Sequence, residues 1–267
     1  MNTSELLVTG GTGTLGSRVV DRLRDAGCAV RILSRRGRPG MITGNLITGE
    51  GLETAMRGVD VIVHCASSPI RTRQVDVIGT ERLLRLADRA GVSHVVFISI
   101  VGVDQNPYFP FYRMKLETER FVENYPVPWT ILRAIQYHEF VLGLIGVLSR
   151  LPVMLTPKGF VLQPIDVGEV AERVTELALS EPARRVPDVG GPEVRTFANL
   201  TRAYLIATRQ RRRIVRVPLP GKMARSFREG AQLAPDGAYG EIRWEEFLRR
   251  TIQDKGRRND RGRSFYD

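Results

Sequence analysis

The sequence TGGTGTLG, residues 9–16, decides how the N-terminal half of this chain is expected to fold. It follows a short apolar run, Glu5 to Thr9, that is typical of a strand. It opens the segment Thr14 to Ala26, whose apolar residues recur at helical spacing. A strand, a glycine-rich turn and a helix in this order are typical of a turn that holds phosphate groups on backbone N–H donors.

The three glycines at positions 10, 13 and 16 each have a physical reason to be there. Gly10 permits the tight turn, Gly13 lets the backbone approach a pyrophosphate, and Gly16 lets the helix pack closely on the strand. The sequence therefore predicts dinucleotide binding, and the alternative is a turn with a purely structural role. The candidate contacts in this turn are Gly10, Thr12, Gly13, Thr14, Leu15 and Gly16.

The end of the second predicted strand, Ala29 to Leu33, indicates which dinucleotide binds. An NAD site usually has Asp or Glu at this point, which accepts hydrogen bonds from the ribose hydroxyls. This chain has Ser34, Arg35 and Arg36 instead. Because a guanidinium pairs with a 2′-phosphate that a carboxylate would repel, the sequence predicts NADP(H) rather than NAD(H). The alternative is that both arginines are ordinary surface charges.

Predicted strands and helices alternate as far as residue 133. The strands are Glu5–Thr9, Ala29–Leu33, Met41–Leu46, Val59–Cys65, His94–Ser99 and Trp129–Leu132. This alternation predicts an α/β fold, a Rossmann-like doubly wound parallel sheet, in a dinucleotide-binding part of about residues 1–135. A smaller C-terminal substrate lobe is predicted over about residues 136–253, and a disordered basic tail over residues 254–267.

Composition excludes several classes of protein. Hydrophobic residues make up 42% and charged residues 26% of the 267, so a disordered or fibrous chain is not expected. Two cysteines and three scattered histidines do not have the number or spacing of a metal site, and no metal is expected. No apolar run approaches the roughly 20 residues of a spanning helix, and no leader is recognised before the first strand. We therefore expect a cytoplasmic protein without a membrane span.

The formal net charge of +11 raises the question of a nucleic-acid partner. Almost all the cations are arginines, and they are spread along the chain apart from Arg209 to Arg213 and the tail. Since no nucleic-acid-binding motif accompanies them, no nucleic-acid partner is expected. The role of the arginine-rich segments and the oligomeric state are left open. The longest apolar run, Phe140 to Leu148, predicts a buried helix or one wall of an apolar substrate pocket.

Five further stretches, taken with TGGTGTLG, carry a resemblance to a known family. They are VHCAS at residues 63–67, FISIVGV at 97–103, YRMK at 112–115, PWTILR at 128–133 and QPIDV at 163–167. The sequence resembles the atypical short-chain dehydrogenase/reductases, specifically the NmrA-like NAD(P)H-binding group. The resemblance implies an oxidoreductase that acts on a small-molecule substrate.

The resemblance also implies roles for particular residues. It places four cofactor contacts after the third and fourth strands, at Asn45, Leu46, Ala66 and Ser67. Ser99 lies at the position of the family's catalytic Ser. Lys115 matches the family's Lys, which contacts the nicotinamide ribose and assists proton transfer.

One position departs from the family pattern. Classical members have the Tyr general acid four residues before the Lys, where this chain has Phe111. Tyr112 is adjacent, about 100° further round the helix, and Tyr108 lies in the preceding loop. The catalytic candidates are therefore Lys115, Ser99 and Tyr112. The structural alternatives are a turn role for Ser99, a surface pair with Glu119 for Lys115, and packing for Tyr112.

These features predict an NADPH-dependent oxidoreductase that passes hydride to a hydrophobic acceptor such as a quinone, an enone or a carbonyl compound. A quinone takes its protons from solvent and needs no Tyr acid, so Phe111 is compatible with it. The alternative is a non-catalytic NADP(H)-binding sensor or regulator, which Phe111 favours. A sugar-nucleotide epimerase is a weaker alternative, because that class uses tightly held NAD and the missing Tyr.

Overall fold

The computed structural model describes residues 4–234 and 236–263 of the chain. Strands β1 to β6 span Glu5–Thr9, Ala29–Ser34, Ile42–Thr43, Val61–His64, His94–Ile100 and Trp129–Ala134. Strands β7 to β11 span Met154–Pro157, Val161–Leu162, Arg184–Arg185, Arg195–Thr196 and Ile214–Val217. Helices α1 to α5 span Thr14–Asp25, Leu52–Met56, Gly79–Ala90, Pro110–Asn124 and His138–Leu148. Helices α6 to α9 span Val167–Ala178, Phe197–Ala207, Lys222–Glu229 and Trp244–Arg263, and a π-helical turn, Arg73–Ile78, leads into α3.

Seven of the strands form one parallel sheet. Their order is β3, β2, β1, β4, β5, β6, β9, so the chain starts in the middle, moves to one edge, and then returns across β1 to the other edge. This is the doubly wound order of a dinucleotide-binding sheet. All four residues of β4 are buried, as expected for a parallel strand with helices over both faces. The prediction of a Rossmann-like α/β fold is confirmed.

The third strand is shorter than its prediction of Met41 to Leu46. It stops at Thr43 because the chain then makes a turn of its own, in which the Asn45 N–H donates to Glu50 O and the Gly49 N–H donates to Asn45 O. The side chain of Leu46 packs in the core beside the sheet, which explains why this position is apolar although it is not part of the strand.

The chain divides into two compact units. The first runs to Ala134 and also takes residues 167–189, and the second takes residues 135–166 and everything from Gly190 onward. The first change of unit falls close to the predicted boundary near residue 135, whereas residues 167–189, predicted within the second lobe, belong to the first unit. Helix α6 and strand β9 belong to the first unit, because α6 packs on α1 and β9 pairs with β6.

The second unit has its own core and two small sheets. Strand β8 pairs antiparallel with β10, and β7 pairs parallel with β11. Its core gathers apolar side chains from α5, α7 and α9 around Trp244, whose indole N–H donates to Leu200 O at 3.0 Å. An indole buried with its N–H satisfied contributes a large apolar surface without an unpaired polar group.

Residues 254–263, predicted as part of a disordered tail, continue helix α9. The first part of this helix is supported by a pair at i,i+4, where Arg250 Nη2 lies 2.5 Å from Glu246 Oε1. Half of residues 254–263 are arginine or lysine, which are good helix formers, so their polar composition is compatible with a helix. Residues 264–267 of the predicted tail lie outside the described residues.

Candidate functional site

The turn between β1 and α1 has room for backbone only. Gly10 adopts a positive φ of +68°, and a Cβ on it would lie 2.7 Å from Ala66 N. A Cβ on Gly16 would lie 2.2 Å from Gly10 O. The turn is closed by the Gly13 N–H, which donates to Gly10 O at 2.8 Å. Gly10 and Gly16 therefore have the geometry that the sequence predicts for a close approach of strand and helix, whereas a Cβ on Gly13 would lie 3.2 Å from Gly10 O.

The start of α1 is open to an anion. Thr12, Gly13 and Thr14 are exposed, whereas Leu15 and Gly16 are buried and serve packing. Within the described part of the chain no side chain caps the N-terminus of this helix, and its first turn has no acidic residue. The N–H groups of a first helical turn need acceptors, and a phosphate supplies them. The cradle fits the pyrophosphate of a dinucleotide.

At the end of β2 the structure separates the three predicted residues. Ser34 is buried, and its hydroxyl donates to Arg36 O at 2.9 Å, so it shapes the turn. Arg35 and Arg36 are exposed, and over the residues that the structure describes neither forms an ion pair with a carboxylate. Two guanidinium groups without acidic partners fit a 2′-phosphate at this point.

The predicted contacts after β3 and β4 are held by the backbone around them. Asn45 Oδ1 accepts from the Ile47 N–H at 2.9 Å, and Leu46 is a core residue. Ala66 is half-buried, and its N–H donates to Thr9 Oγ1 at 3.4 Å, while Ser67 is exposed. The backbone of Ala66 leaves no room for a side chain on Gly10. This predicted contact residue after β4 therefore lies directly against the phosphate turn.

Lys115 and Ser99 come together at the carboxyl end of β5. Both side chains are buried, at 2% exposure each. The ammonium of Lys115 donates to Ile98 O at 3.0 Å, one residue before Ser99, and lies 4.4 Å from the centre of the Phe97 ring. Ser99 Oγ is enclosed with no hydrogen-bond partner within residues 4–234 and 236–263. A buried hydroxyl without a partner needs an explanation, and a ligand oxygen or an ordered water can supply the missing hydrogen bond.

The charge of Lys115 is balanced by Asp76. Its Nζ lies 3.5 Å from Asp76 Oδ1, and the other carboxylate oxygen of Asp76 accepts from the Ser68 N–H at 2.9 Å. Burial lowers the pKa of Lys115, and the carboxylate of Asp76 opposes that shift. The carboxylate of Glu119 is held by Arg133 at 2.6 and 2.7 Å. The alternative in which Lys115 is a surface residue paired with Glu119 is therefore wrong.

Asp76 is a site residue that the sequence reasoning missed. It lies in the π-helical turn before α3, a feature often found at functional sites. Asp76, Thr80, Leu83 and Ala87 are all buried, at intervals that place them on one helical face. An acidic residue on the inward face of an amphipathic helix was the signal available, because such a residue needs a buried partner.

Tyr112, the third catalytic candidate, is buried within an aromatic group. Its ring lies 5.0 Å from that of Phe109 and 6.5 Å from that of Phe111. Packing therefore accounts for the position of its ring, and its catalytic role stays a prediction. Tyr108 in the preceding loop is exposed.

A buried polar chain connects the phosphate turn to α3. His64 Nδ1 lies 2.5 Å from Thr9 Oγ1, and His64 Nε2 lies 2.8 Å from Thr80 Oγ1. Burial, with a smaller effect from Lys115, lowers the pKa of His64 to about 3, so the imidazole is neutral at pH 7. His64 is therefore a core residue with both ring nitrogens hydrogen-bonded. Since Thr9 directly precedes Gly10, the chain also fixes the start of the turn.

With this geometry established, the comparisons with known proteins can be set beside it. A family model described as NAD(P)H-binding matches residues 10–139, just under half of the chain, and these residues include the glycine turn, Ser99 and Lys115. The match supports the resemblance to the atypical short-chain dehydrogenase/reductases. The family resemblance drawn from the sequence is thus confirmed, and NAD(P)H binding follows from it.

Two curated relatives have different named functions. The Photosystem II assembly factor Ycf39 of Synechocystis is 30% identical over 205 residues, which cover 70% of this chain and 62% of that protein. The (4-alkanoyl-5-oxo-2,5-dihydrofuran-3-yl)methyl phosphate reductase of Streptomyces griseus is 36% identical over 137 residues, 48% of this chain and 46% of that protein. The chain spans less than two thirds of the length of either relative.

Solved structures share the fold at low sequence identity. The Escherichia coli NADPH-dependent quinone oxidoreductase QOR2, complexed with NADPH, has a TM-score of 0.73 at 16% identity, covering 92% of this chain and 99% of that one. Other chains of the same fold hold NAD, so the fold does not choose between the two cofactors.

The described residues contain neither a metal-binding cluster nor a membrane-spanning helix. Among the described side chains, no group of three or more His, Cys, Asp and Glu residues is arranged to hold a metal ion. Over the same part of the chain, no helix combines the length and the apolar character needed to cross a bilayer.

Exchanging Gly16 for Ala is expected to destabilise the protein and to weaken dinucleotide binding. The added methyl carbon would lie 2.2 Å from Gly10 O, so the turn must open. The matched control is Gly143→Ala, also within a helix, where nothing lies within 4 Å of the new carbon. Because Ala is the better helix former, this control is expected to raise the stability by about 0.5–1 kcal/mol. Thermal unfolding and fluorescence titration with NADPH measure both variants. Stability changes of the same sign in the two variants would contradict the close contact at Gly16.

Lowering the pH is expected to destabilise the fold through His64. Its pKa is roughly 6.5 in the unfolded chain and about 3 in the folded protein. The unfolded state therefore binds more protons as the pH falls through this window, and above pH ~6.5 the effect vanishes. At pH 5 the loss is about 2 kcal/mol.

Urea unfolding at two pH values, one above and one inside that window, measures this effect. The loss of stability on acidification should be smaller by about 2 kcal/mol in His64→Gln than in the wild type. His94 and His138 titrate in both proteins and cancel in the comparison. An unchanged pH dependence in the variant would show that His64 takes up its proton without unfolding.

Proposed function

We infer that this chain is an NADPH-dependent oxidoreductase that transfers hydride to a hydrophobic small-molecule acceptor. The observation that carries the inference is the buried ammonium of Lys115, which donates to Ile98 O near the end of β5, one residue before Ser99; the buried hydroxyl of Ser99 has no partner among the described residues. Strands β1, β4 and β5 are parallel, so the phosphate turn and this pair lie at the same carboxyl edge of the sheet. Ligands of open α/β sheets bind at this edge.

The residues at this edge have distinct tasks. When bound, the reduced nicotinamide supplies the hydride. Lys115 would hold the ribose hydroxyls and present a positive charge toward the reacting carbonyl, while Ser99 would donate a hydrogen bond to the acceptor oxygen. The acceptor would gain a hydride from the reduced nicotinamide, which would thereby be oxidised, and a proton from water. Asp76 keeps Lys115 oriented and balances its charge.

Phe111 favours acceptors that need no Tyr acid. A quinone or an enone that receives hydride places negative charge on an oxygen conjugated with the reacting carbon, and water can protonate that oxygen. The name of the Streptomyces relative describes a reductase acting on an alkanoyl dihydrofuranone, which is an unsaturated carbonyl compound. This supports the quinone and enone classes over simple carbonyl compounds.

A second candidate function is that of a non-catalytic NADP(H)-binding regulator. It is favoured by Phe111, by the name of the Ycf39 relative, which describes an assembly factor, and by the hydrogen bond that already engages Lys115 at Ile98 O. The sugar-nucleotide epimerase is the weaker alternative, since the exposed Arg35 favours NADP(H). If tightly held NAD were recovered with the purified protein, the epimerase alternative would be favoured again.

Replacing Arg35 by Ala is expected to weaken NADPH binding roughly 10- to 100-fold, because a charge-assisted hydrogen bond to the 2′-phosphate is lost. NADH lacks that phosphate, so its binding should change little. Arg38→Ala, an exposed arginine in the same loop, is the matched control and should affect neither cofactor. Fluorescence titration measures all four combinations. Equal losses for NADPH and NADH in Arg35→Ala would contradict the assignment of NADP(H).

NADPH oxidation tests the enzyme directly. A quinone, an enone and an aldehyde are supplied as acceptors, and the quinone and the enone are expected to react faster. Ser99→Ala should lower kcat by about 100-fold with unchanged NADPH affinity. Ser93→Ala, at the opposite end of the same strand, is the matched control. NADPH binding without turnover on any acceptor would contradict the proposed reductase activity and favour the non-catalytic regulator.

A further inference from the structure

Nearly all the net charge of the chain belongs to the second unit. The sequence of this unit contains 20 Lys and Arg against 11 Asp and Glu, whereas the first unit has 20 against 18. Two stretches of the second unit, residues 140–165 and 194–228, contain twelve Lys and Arg between them and no acidic residue. A surface built from such stretches attracts anions.

Helix α5 begins two residues before the first of these stretches, includes Glu139, and exposes apolar side chains on one side. Val141 and Ile145 face the core of the unit. On the outer side, Phe140, Leu144 and Val147 are exposed by 54, 42 and 61%, and Leu151, three residues beyond the helix, is exposed by 42%. The intervals of four and three residues place the three helical side chains on one face about 10 Å long. We call these four residues the α5 stripe, and their exposure shows that the helix is only partly buried.

Arginines surround the end of the α5 stripe. Arg150 precedes its last residue, and the guanidinium of Arg212 donates to Leu151 O at 2.5 Å. The Met154 N–H donates to Arg213 O at 2.9 Å, which holds the segment of Arg211 to Arg213 beside the stripe. Arg150, Arg211 and Arg213 are exposed, and within the part of the chain that the structure describes none of them forms an ion pair.

We propose that the α5 stripe and Arg150, Arg211, Arg212 and Arg213 form a docking surface for an anionic lipid membrane. An apolar helical stripe enters the boundary between headgroups and acyl chains, while arginines at its border pair with lipid phosphates. The proposal is a peripheral attachment, so it needs no spanning helix. It does not depend on the proposed reductase activity, because the membrane binds whether or not NADPH is oxidised.

Charge and side-chain type favour this occupant over two others. A second copy seated on the same surface would bring two arginine clusters together with no carboxylate between them, and the clusters would repel each other. A nucleic acid pairs with arginines but leaves an aliphatic stripe without a partner, since base stacking uses aromatic rings and only Phe140 in the stripe has one. An anionic bilayer satisfies both the charges and the apolar side chains.

Flotation of the full-length protein with vesicles tests the proposal. Vesicles of phosphatidylcholine with roughly one third phosphatidylglycerol should carry the protein at low salt, and pure phosphatidylcholine vesicles should carry much less. Raising the salt should release the protein, because exposed charges are screened beyond a Debye length of about 8–10 Å.

Paired variants separate the two contributions. Leu144→Gln/Val147→Gln should lower the affinity for anionic vesicles at least roughly tenfold, whereas Leu179→Gln in the first unit, 52% exposed, should not change it. Arg211→Gln/Arg213→Gln should lower it about 25-fold, at roughly fivefold for each charge. The matched control removes two exposed arginines of the first unit, Arg24→Gln/Arg120→Gln.

The proposal would be overturned if the protein did not float with anionic vesicles, or if the Leu144→Gln/Val147→Gln variant floated like the wild type. It would also be overturned if the two arginine variants lost the same affinity for anionic vesicles. A wild-type dimer that the Leu144→Gln/Val147→Gln variant converts to a monomer would likewise contradict it. Binding of an oligonucleotide that ignores the apolar variant, together with absent flotation, would assign the arginines to nucleic acid. Thermal unfolding and NADPH titration of each variant establish that a loss of flotation is not a loss of folding.

Discussion

The contact of backbone with backbone at Gly10 is the constraint on which the rest of the site depends. A methyl group on Gly10 would collide with Ala66, and one on Gly16 would collide with Gly10 itself. Strands β1 and β4 and helix α1 therefore meet without any side chain between them. This close approach leaves the N–H groups of α1 directed at open space, where an anion is the natural acceptor. The chain Thr9–His64–Thr80 then connects the same turn to α3.

Two buried ion pairs arrange the other half of the site. Arg133 takes both carboxylate oxygens of Glu119, and Lys115 pairs with Asp76. Glu119 is one helical turn from Lys115 and is the partner that helical spacing suggests. Because Glu119 is already engaged, the charge of Lys115 is balanced from a different helix. Removing one member of such a pair leaves an uncompensated buried charge, which costs far more than the pair itself contributes.

The sequence predicted the sheet and the glycine turn well because both depend on local patterns. A glycine that must approach backbone is recognisable by its spacing and by the strand and helix on either side. The partners of buried charges are different, since they come together only in the fold. Asp76 was on the inward face of a helix, yet nothing local showed that it would meet Lys115. Ser34 and Asn45 are predicted as cofactor contacts, but their hydrogen bonds to neighbouring backbone are not predictable from the sequence. The second half of helix α9 lies in a stretch whose polar composition predicts disorder, because composition carries no information on where a helix from the preceding fold ends.

The interleaving of the two units has a consequence for how the chain is made. The first unit lacks its last strand until Arg184 and Arg185 have been synthesised, since β9 completes the edge of the sheet beside β6. Until then β6 is an open edge, with unpaired backbone groups that can recruit another strand. Residues 135–166 leave the ribosome in the meantime, before their own partners from Gly190 onward exist. A nascent chain that ends between residues 166 and 184 therefore contains two incomplete folds, and at these lengths it is most exposed to aggregation and to chaperones.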